Sequence, residues 1–299
     1  MVSLLTKLTG ISGGIPVEKL YPIYKTPESK LLEIEGMPLH YRVTGTGPAL
    51  LLVHGVCSSL HTWKDWQEIL SEHFQVISFD VPSFGLTGPH PKKDYTIEMY
   101  MRVMNTLLDH LGINQFYMAG NSFGGFLTWH YAIRYPERLR KMVLLDAAGV
   151  DSLPEHLKVF GFKLFIQSAT KFIAHRVTPK PILSATLCAA YGDDSKITNE
   201  LVELYWHMLL REGNRPGFSE VLGKTILHGK DNKPLIKKVK IPTLILWGDK
   251  DRVIPVNDAH IFKDLIPHAQ KIIYEGVGHM PMEEIPQQSA ADTLAFLQA

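Results

Sequence analysis

Short apolar runs of strand length recur along this chain, separated by longer segments whose apolar residues return at helical spacing. Runs at 31–34 and 39–43 flank Glu35-Gly36-Met37-Pro38, a turn signal, and predict an antiparallel hairpin. The continuous apolar run 49–53 has the pattern of a strand buried on both faces and ends at His54-Gly55. A helix is predicted over 59–74, with Trp63, Trp66, Ile69 and Leu70 inward, then a strand over 74–79 that runs into Asp80-Val81-Pro82-Ser83-Phe84-Gly85. Met99, Val103, Leu107 and Leu111 recur at helical spacing and predict a helix over 95–111. The apolar run 116–119 stops at Gly120-Asn121-Ser122-Phe123-Gly124-Gly125, and a helix follows. A further strand, 141–145, ends at Asp146-Ala147-Ala148-Gly149.

Strand and helix in alternation call for a mostly parallel sheet covered by helices. After Gly149 the rhythm breaks, and helices are predicted instead over 154–167, 169–175, 181–191, 198–211 and 218–227. Phe160, Phe162, Phe165, Phe172, Leu204, Trp206, Met208 and Leu209 make this insert apolar, so most of it must pack onto the main domain while a few side chains face a cavity. The strand pattern resumes over 242–247, before Gly248-Asp249-Lys250-Asp251, and a helix is predicted over 257–266. A last strand, 271–274, leads to Glu275-Gly276-Val277-Gly278-His279, and an amphipathic helix over 282–298 closes the chain. The strand ends thus deliver His54, Asp80, Ser122, Asp146, Asp251 and His279 to the edge where open α/β sheets bind ligands.

These residues suit acyl transfer. Glycines on both sides of Ser122 allow a tight strand-to-helix turn that lifts the hydroxyl above the sheet. A serine hydroxyl needs a base, and an imidazole oriented by a carboxylate is the usual one. Among 14 histidines, His279 follows a strand directly and is kept out of helix by Met280-Pro281. His54 also follows a strand, but Gly55 beside it suggests a structural role; His130 suits helix packing, and His207 and His228 have no partner by spacing. Position alone leaves Asp249 and Asp251 open as the orienting acid, with Asp146 a third candidate. The backbone N–H groups of Val56 and Phe123 are the natural oxyanion donors. There is no G-x-G-x-x-G opening a helix after the first parallel strand, no phosphate loop and no H-E-x-x-H, so no organic cofactor or metal is expected.

Composition changes the picture little. With 299 residues and 45% apolar content the chain can bury a large core, as one large domain or two ordinary ones. A charged fraction of 20% and a net charge of +1 give no basis for a nucleic-acid partner, and Lys237, Lys238 and Lys240 suit a solvated approach to a strand. Cys57 and Cys188 suggest no disulfide framework. Without a convincing signal peptide or any run near the roughly 20 apolar residues of a membrane span, a soluble cytoplasmic protein is the expectation. Residues 8–25, rich in glycine and proline, read as a flexible arm or a lid contact.

Taken together, H-G-V-C at His54, D-V-P-S-F-G at Asp80, G-N-S-F-G-G at Gly120, W-G-D-K-D-R-V-I-P at Trp247 and G-H-M-P-M-E at Gly278 resemble the lidded α/β-hydrolase family, in its serine-nucleophile, carboxylesterase-like branch. The resemblance implies an α/β fold with a mostly parallel eight-stranded sheet, a core domain of residues 1–150 and 231–299, and a helical cap over 151–230. It implies Ser122 as nucleophile, His279 as base, and Val56 and Phe123 as oxyanion-hole amides. The acid-loop form W-G-x-x-D-x-x-x-P matches Asp251, not Asp249. Ser83 stands where the family commonly has glycine. Serine in place of an aspartate nucleophile argues against dehalogenase and epoxide-hydrolase chemistry. G-N-S-F-G-G resembles hydrolases that cleave carbon–carbon bonds in aromatic ring-cleavage products. Their G-P-G stretch and their tryptophan after the histidine are here replaced by Cys57-Ser58-Ser59 and Met280. The expected substrate is therefore a small apolar carboxylic ester. Carbon–carbon hydrolysis of a meta-cleavage-type diketone is the alternative, and a non-catalytic ligand-binding protein on the same fold is another.

Overall fold

The protein is described by a computed structural model covering residues 14–150, 172–226 and 232–299. Its strands are β1 (Ser29–Ile34), β2 (Met37–Thr44), β3 (Ala49–Val53), β4 (Gln75–Phe79), β5 (Phe116–Asn121), β6 (Leu139–Leu145), β7 (Thr243–Gly248) and β8 (Gln270–Tyr274). They form one sheet in the order β1-β2-β4-β3-β5-β6-β7-β8. The β1–β2 and β2–β4 pairs are antiparallel; every pair from β4 to β8 is parallel. The flanking helices are α1 (Val17–Tyr24), α2 (Lys64–Leu70), α3 (Ile97–His110), α4 (Phe123–Arg134), α5 (Lys180–Ala190), α6 (Asn199–Leu210), α7 (Asn214–Val221), α8 (Lys233–Ile236), α9 (Asn257–Leu265), α10 (Pro281–Glu284) and α11 (Pro286–Gln298).

The apolar patterning explains the layout. β3 and β7, in the interior of the sheet, are buried along their whole length, whereas β1 at one edge is largely exposed and β8 at the other is only partly covered. Helix starts follow local chemistry: Thr96 and Thr198 accept hydrogen bonds from the Met99 and Leu201 amides at the first turns of α3 and α6. The helix predicted over 59–74 opens as a 3₁₀ turn, Leu60–Trp63, before α2. The one predicted over 282–298 is two helices, because Ile285 leaves helical geometry and Pro286, which lacks an N–H, starts α11.

Further differences concern the arm and the insert. Of the two expectations for this segment, residues 17–24 fit the lid contact and not the flexible arm: they form helix α1, with Leu20 fully buried and Tyr24 O–H donating to His207 Nδ1 of α6 at 2.6 Å. The helix predicted over 218–227 starts earlier, as α7, and passes at Leu222–Ile226 into a wider π turn. The helix predicted over 154–167 lies outside the described residues, as do residues 169–171 of the one over 169–175. Among the described residues no helix is long and apolar enough to cross a membrane. Both cysteines are free.

The parallel register sets the working edge. Val53 pairs with Gly120, Asn121 with Leu145, Leu145 with Leu246, and Gly248 with Tyr274, so the loops after β3, β5, β6, β7 and β8 emerge side by side. Asp80, after β4, locks the neighbouring loops: its carboxylate accepts from the Leu60 and Leu86 amides and from His40 Nδ1, each at 2.7 Å. Burial alone would raise the Asp80 pKa, but the charge and hydrogen bond of His40 outweigh it and hold the carboxyl well below the usual range. In the same loop Ser83 adopts φ 87°, a left-handed conformation that favours glycine.

Helix α4 approaches the sheet so closely that a Cβ on Gly124 would lie 1.9 Å from the Val53 carbonyl oxygen. The obstacle is backbone and cannot rotate away. Gly124→Ala is expected to lower unfolding stability by at least the roughly 3 kcal/mol at the top of the overpacking range. Gly223→Ala, with open space around it, should leave denaturant midpoints almost unchanged.

Candidate active site

Ser122 occupies a single-residue turn between β5 and α4, with φ 55° and ψ −116°. This is strained for a residue with a Cβ. The turn is held by its own backbone: Ser122 N–H donates to Leu145 O at 2.9 Å, and its carbonyl accepts from Phe126 and Ala148 N–H, both at 3.0 Å. The next link is Asn121, whose amide Nδ2 donates to Leu145 O at 3.3 Å and to His279 O at 3.0 Å. One side chain therefore joins the serine turn to the histidine loop.

His279 Nδ1–H donates to Asp251 Oδ2 at 2.7 Å, with both side chains buried. The other Asp251 oxygen accepts from Val253 N–H at 2.7 Å and Ile254 N–H at 2.9 Å, which fixes the carboxylate's direction. Asp249 does something else: it accepts from Gly276 N–H at 2.7 Å and faces Lys250 at the surface. The backbone around His279 is tied down in turn, since its N–H donates to Ala190 O at 2.6 Å and Gly278 N–H donates to Glu284 Oε1 at 2.8 Å.

Ser122 and His279 open onto one cavity of about 840 Å³, counting its mouth. Val56 and Phe123 line it beside Ser122, and Cys57 turns the chain away behind Val56 with φ 56°. The insert supplies the roof: Leu183, Thr186, Leu187 and Ala190 from α5, Tyr205 from α6, and Leu222. Helical spacing showed that these segments have an apolar face, but not which residues on it meet the cavity.

Sequence reasoning also missed a polar cluster at the wall. Glu283, at the start of the closing helices, accepts from Thr62, Tyr191 and Tyr205 hydroxyls, the last at 2.7 Å, and Tyr205 O lies 3.3 Å from Ser58 Oγ. Burial raises the Glu283 carboxyl pKa, against the three hydroxyl donors that lower it.

Other candidates sit elsewhere. His54 Nδ1 donates to Gly55 O at 2.7 Å and its Nε2 accepts from Val81 N–H at 2.9 Å, so both ring nitrogens serve the backbone; burial pushes its pKa down. His130 stacks on Trp129 within α4, and burial drops it to about 3. His207 meets Tyr24, and His228 lies outside the described residues. A second serine–histidine–aspartate chain, Ser29 Oγ to His40 Nε2 at 2.8 Å and His40 Nδ1 to Asp80 at 2.7 Å, lies beyond the cavity wall. Its serine also accepts from Thr26 N–H at 3.1 Å and Arg42 Nε–H at 3.3 Å, which makes it a bracket between strands β1 and β2.

Asp146, Asp251 and His279 bring ligand-type atoms within 4.8 Å of one another, the one such group among the described residues. Those of Asp251 and His279 are already spent on the hydrogen bonds just described, which is the arrangement of a proton-linked group rather than a cation cage.

A family model described as alpha/beta hydrolase fold matches residues 48–286. The chain belongs to the alpha/beta hydrolase fold family. Within it, the chain is 30% identical over 259 residues to 2-hydroxy-6-oxo-2,4-heptadienoate hydrolase of Pseudomonas putida, covering 82% of this chain and 87% of that one. It is 28% identical over 260 residues to Lipase 3 of a Moraxella species, covering 84% and 78%. Among solved structures, a meta-cleavage product hydrolase from Pseudomonas fluorescens superposes with a TM-score of 0.77 at 25% identity, covering 90% of this chain and 97% of that one. This hydrolase is thus a member of the serine-hydrolase superfamily, and its named relatives include a heptadienoate hydrolase and a meta-cleavage product hydrolase as well as a lipase.

Tyr205→Phe takes one hydroxyl from buried Glu283. Leaving that buried carboxyl short of a donor should cost about 1–3 kcal/mol of stability, measured by thermal or urea unfolding.

Proposed function

We propose that this chain is a serine hydrolase that cleaves carboxylic esters with apolar acyl or alcohol groups. The observation that carries the reading is the buried His279–Asp251 bond of 2.7 Å at the same cavity as the strained Ser122 turn. In this mechanism Ser122 Oγ attacks the ester carbonyl while His279 Nε2 takes its proton. Asp251 holds the other ring nitrogen as N–H and stabilises the imidazolium. The Val56 and Phe123 amides receive the oxyanion, a contribution of about 3 kcal/mol per donor in comparable sites. The alcohol leaves with the proton from His279, and water, activated by the same imidazole, frees the acid from Ser122. Every proton is handled by protein groups, so the route runs without a cofactor.

The cavity wall supports a neutral substrate. Leu183, Leu187, Ala190, Leu222, Val253, Ile254 and Met280 supply apolar surface, and Ser58, Thr186 and Tyr205 supply neutral polar groups. Among the described residues no lysine or arginine lines the cavity to pair with a carboxylate, which suits an ester better.

Carbon–carbon hydrolysis is the second reading, and the relatives favour it over simple ester hydrolysis. The 30%-identical relative is named for a heptadienoate, and the Pseudomonas fluorescens structure is a meta-cleavage product hydrolase. On this reading the same serine and histidine act at a ketone carbonyl, and the carbon leaving group takes up the proton. The two readings differ in what the cavity must accept, since a dienoate carries a carboxylate and an apolar ester carries none.

Ser122→Ala is expected to reduce turnover at least about a thousandfold on whichever substrate is used, and full activity in that variant would rule out both readings. Asp251→Asn should cost about a hundredfold or more while Asp249→Asn stays within a few-fold of wild type. A panel of short, medium and aromatic esters beside a ring-cleavage dienoate decides between the readings. Ser122-dependent cleavage of the dienoate with none of the esters would overturn ester hydrolysis.

A further inference from the structure

Asp146 ends β6 beside the end of β7 and is completely buried, with φ 46°. One oxygen, Oδ1, accepts from Gly248 N–H at 3.0 Å. The other, Oδ2, is buried and receives no N–H donor. What it has nearby is the Asp251 carboxylate, within the 4.8 Å group that also includes His279. The two carboxylates are unequally provided for: Asp251 accepts three N–H donors, from Val253, Ile254 and His279, whereas Asp146 accepts one, from Gly248. The remaining titratable groups facing Asp146 are Glu284, which adds negative charge, and Tyr274, whose O–H donates to Asp292.

Two carboxylates this close and this deep cannot both be ionised without a cation between them. The proton belongs on the one with fewer donors. We propose that Asp146 is a neutral carboxylic acid whose O–H donates to the Asp251 carboxylate, making it a positioning residue that tunes the Asp251–His279 pair. Burial, then the charge of Asp251, raises the Asp146 pKa well above the ordinary carboxylate range, in keeping with this assignment. The added hydrogen bond spreads the negative charge of Asp251, and so restrains how strongly Asp251 holds a proton on His279. The effect on catalysis rests on the reading of Asp251 and His279 given above; the protonation of Asp146 does not.

Two measurements read the proton without turnover. The infrared carbonyl band of a buried carboxylic acid should be present at pH 7 in the wild type and lost in Asp146→Asn; the difference between the two removes any contribution from Glu283 or Glu284. A difference spectrum that loses a carboxylate band instead would overturn the proposal.

Stability gives the second. A folded pKa raised above the unfolded value of about 3.9 means the folded state binds more protons, so stability falls as pH rises from there toward the folded pKa. Asp146→Asn carries no such dependence. Its stability relative to the wild type should therefore rise with pH from about pH 4 upward and level off once the folded pKa is passed. A difference that stays flat over that range would sink the idea.

Activity then tests the coupling. Asp146→Ala should move the acid limb of the pH–rate profile upward by about half a unit or more, because Asp251 keeps its whole charge for His279. Asp146→Asn, which keeps an N–H donor at the same place, should bring the limb back. An Asn variant whose limb instead falls, with tenfold lower turnover, would mean that Asp146 is an anion and the proposal is wrong. If Ser122→Ala remained active while the infrared and stability results held, the serine mechanism would fail and the protonation of Asp146 would stand.

Discussion

The site depends on one constraint: the chain must turn from strand β5 into helix α4 within a single residue. Ser122 takes that turn at φ 55°, in a region that costs a residue with a Cβ about 1–3 kcal/mol. The strain is held because α4 is pressed onto the neighbouring strand. A Cβ at Gly120 would lie 2.3 Å from the Gly124 carbonyl, and one at Gly124 would strike Val53. Asn121 then extends the constraint sideways by donating to the His279 carbonyl. Moving the helix outward would relax the serine and release the histidine loop together.

Buried acids around this turn are satisfied in different ways. Asp251 has three N–H donors, Glu283 has three hydroxyls, and Glu284 has the backbone amides of Gly192, Asp193 and Gly278. Each arrangement gives hydrogen-bond partners to a carboxyl that would otherwise be costly to bury. Asp146 alone of these four is left with a single donor, which is why its protonation state is tied to its neighbour's.

Much of this was legible in the amino-acid order. Strands buried on both faces leave continuous apolar runs, so β3 and β7 could be placed from the sequence, and the residues after each strand could be assigned to one edge. Position could not separate Asp249 from Asp251, because both lie in the loop after β7; the structure separates them by who donates, Gly276 N–H to one and His279 to the other. The nearness of Asp146 to Asp251 was illegible because it depends on β6 and β7 lying side by side across a long insert. Helix α1 was hidden by Pro22, and its order comes from docking, with Leu20 buried and Tyr24 on His207. The two closing helices were merged because their apolar spacing continues across the break at Ile285.

The contacts of residues 190–193 and Tyr205 have a mechanical consequence. Ala190 O holds the His279 amide, Gly192 and Asp193 amides hold Glu284, and Tyr191 and Tyr205 hold Glu283. The roof is stitched to the floor beside the histidine. The roof is anchored along its other helices as well, since Asn214 Nδ2 donates to Gly85 O at 3.0 Å and Tyr24 O–H to His207 Nδ1 at 2.6 Å, so widening the cavity means breaking bonds at more than one place rather than turning on a single hinge.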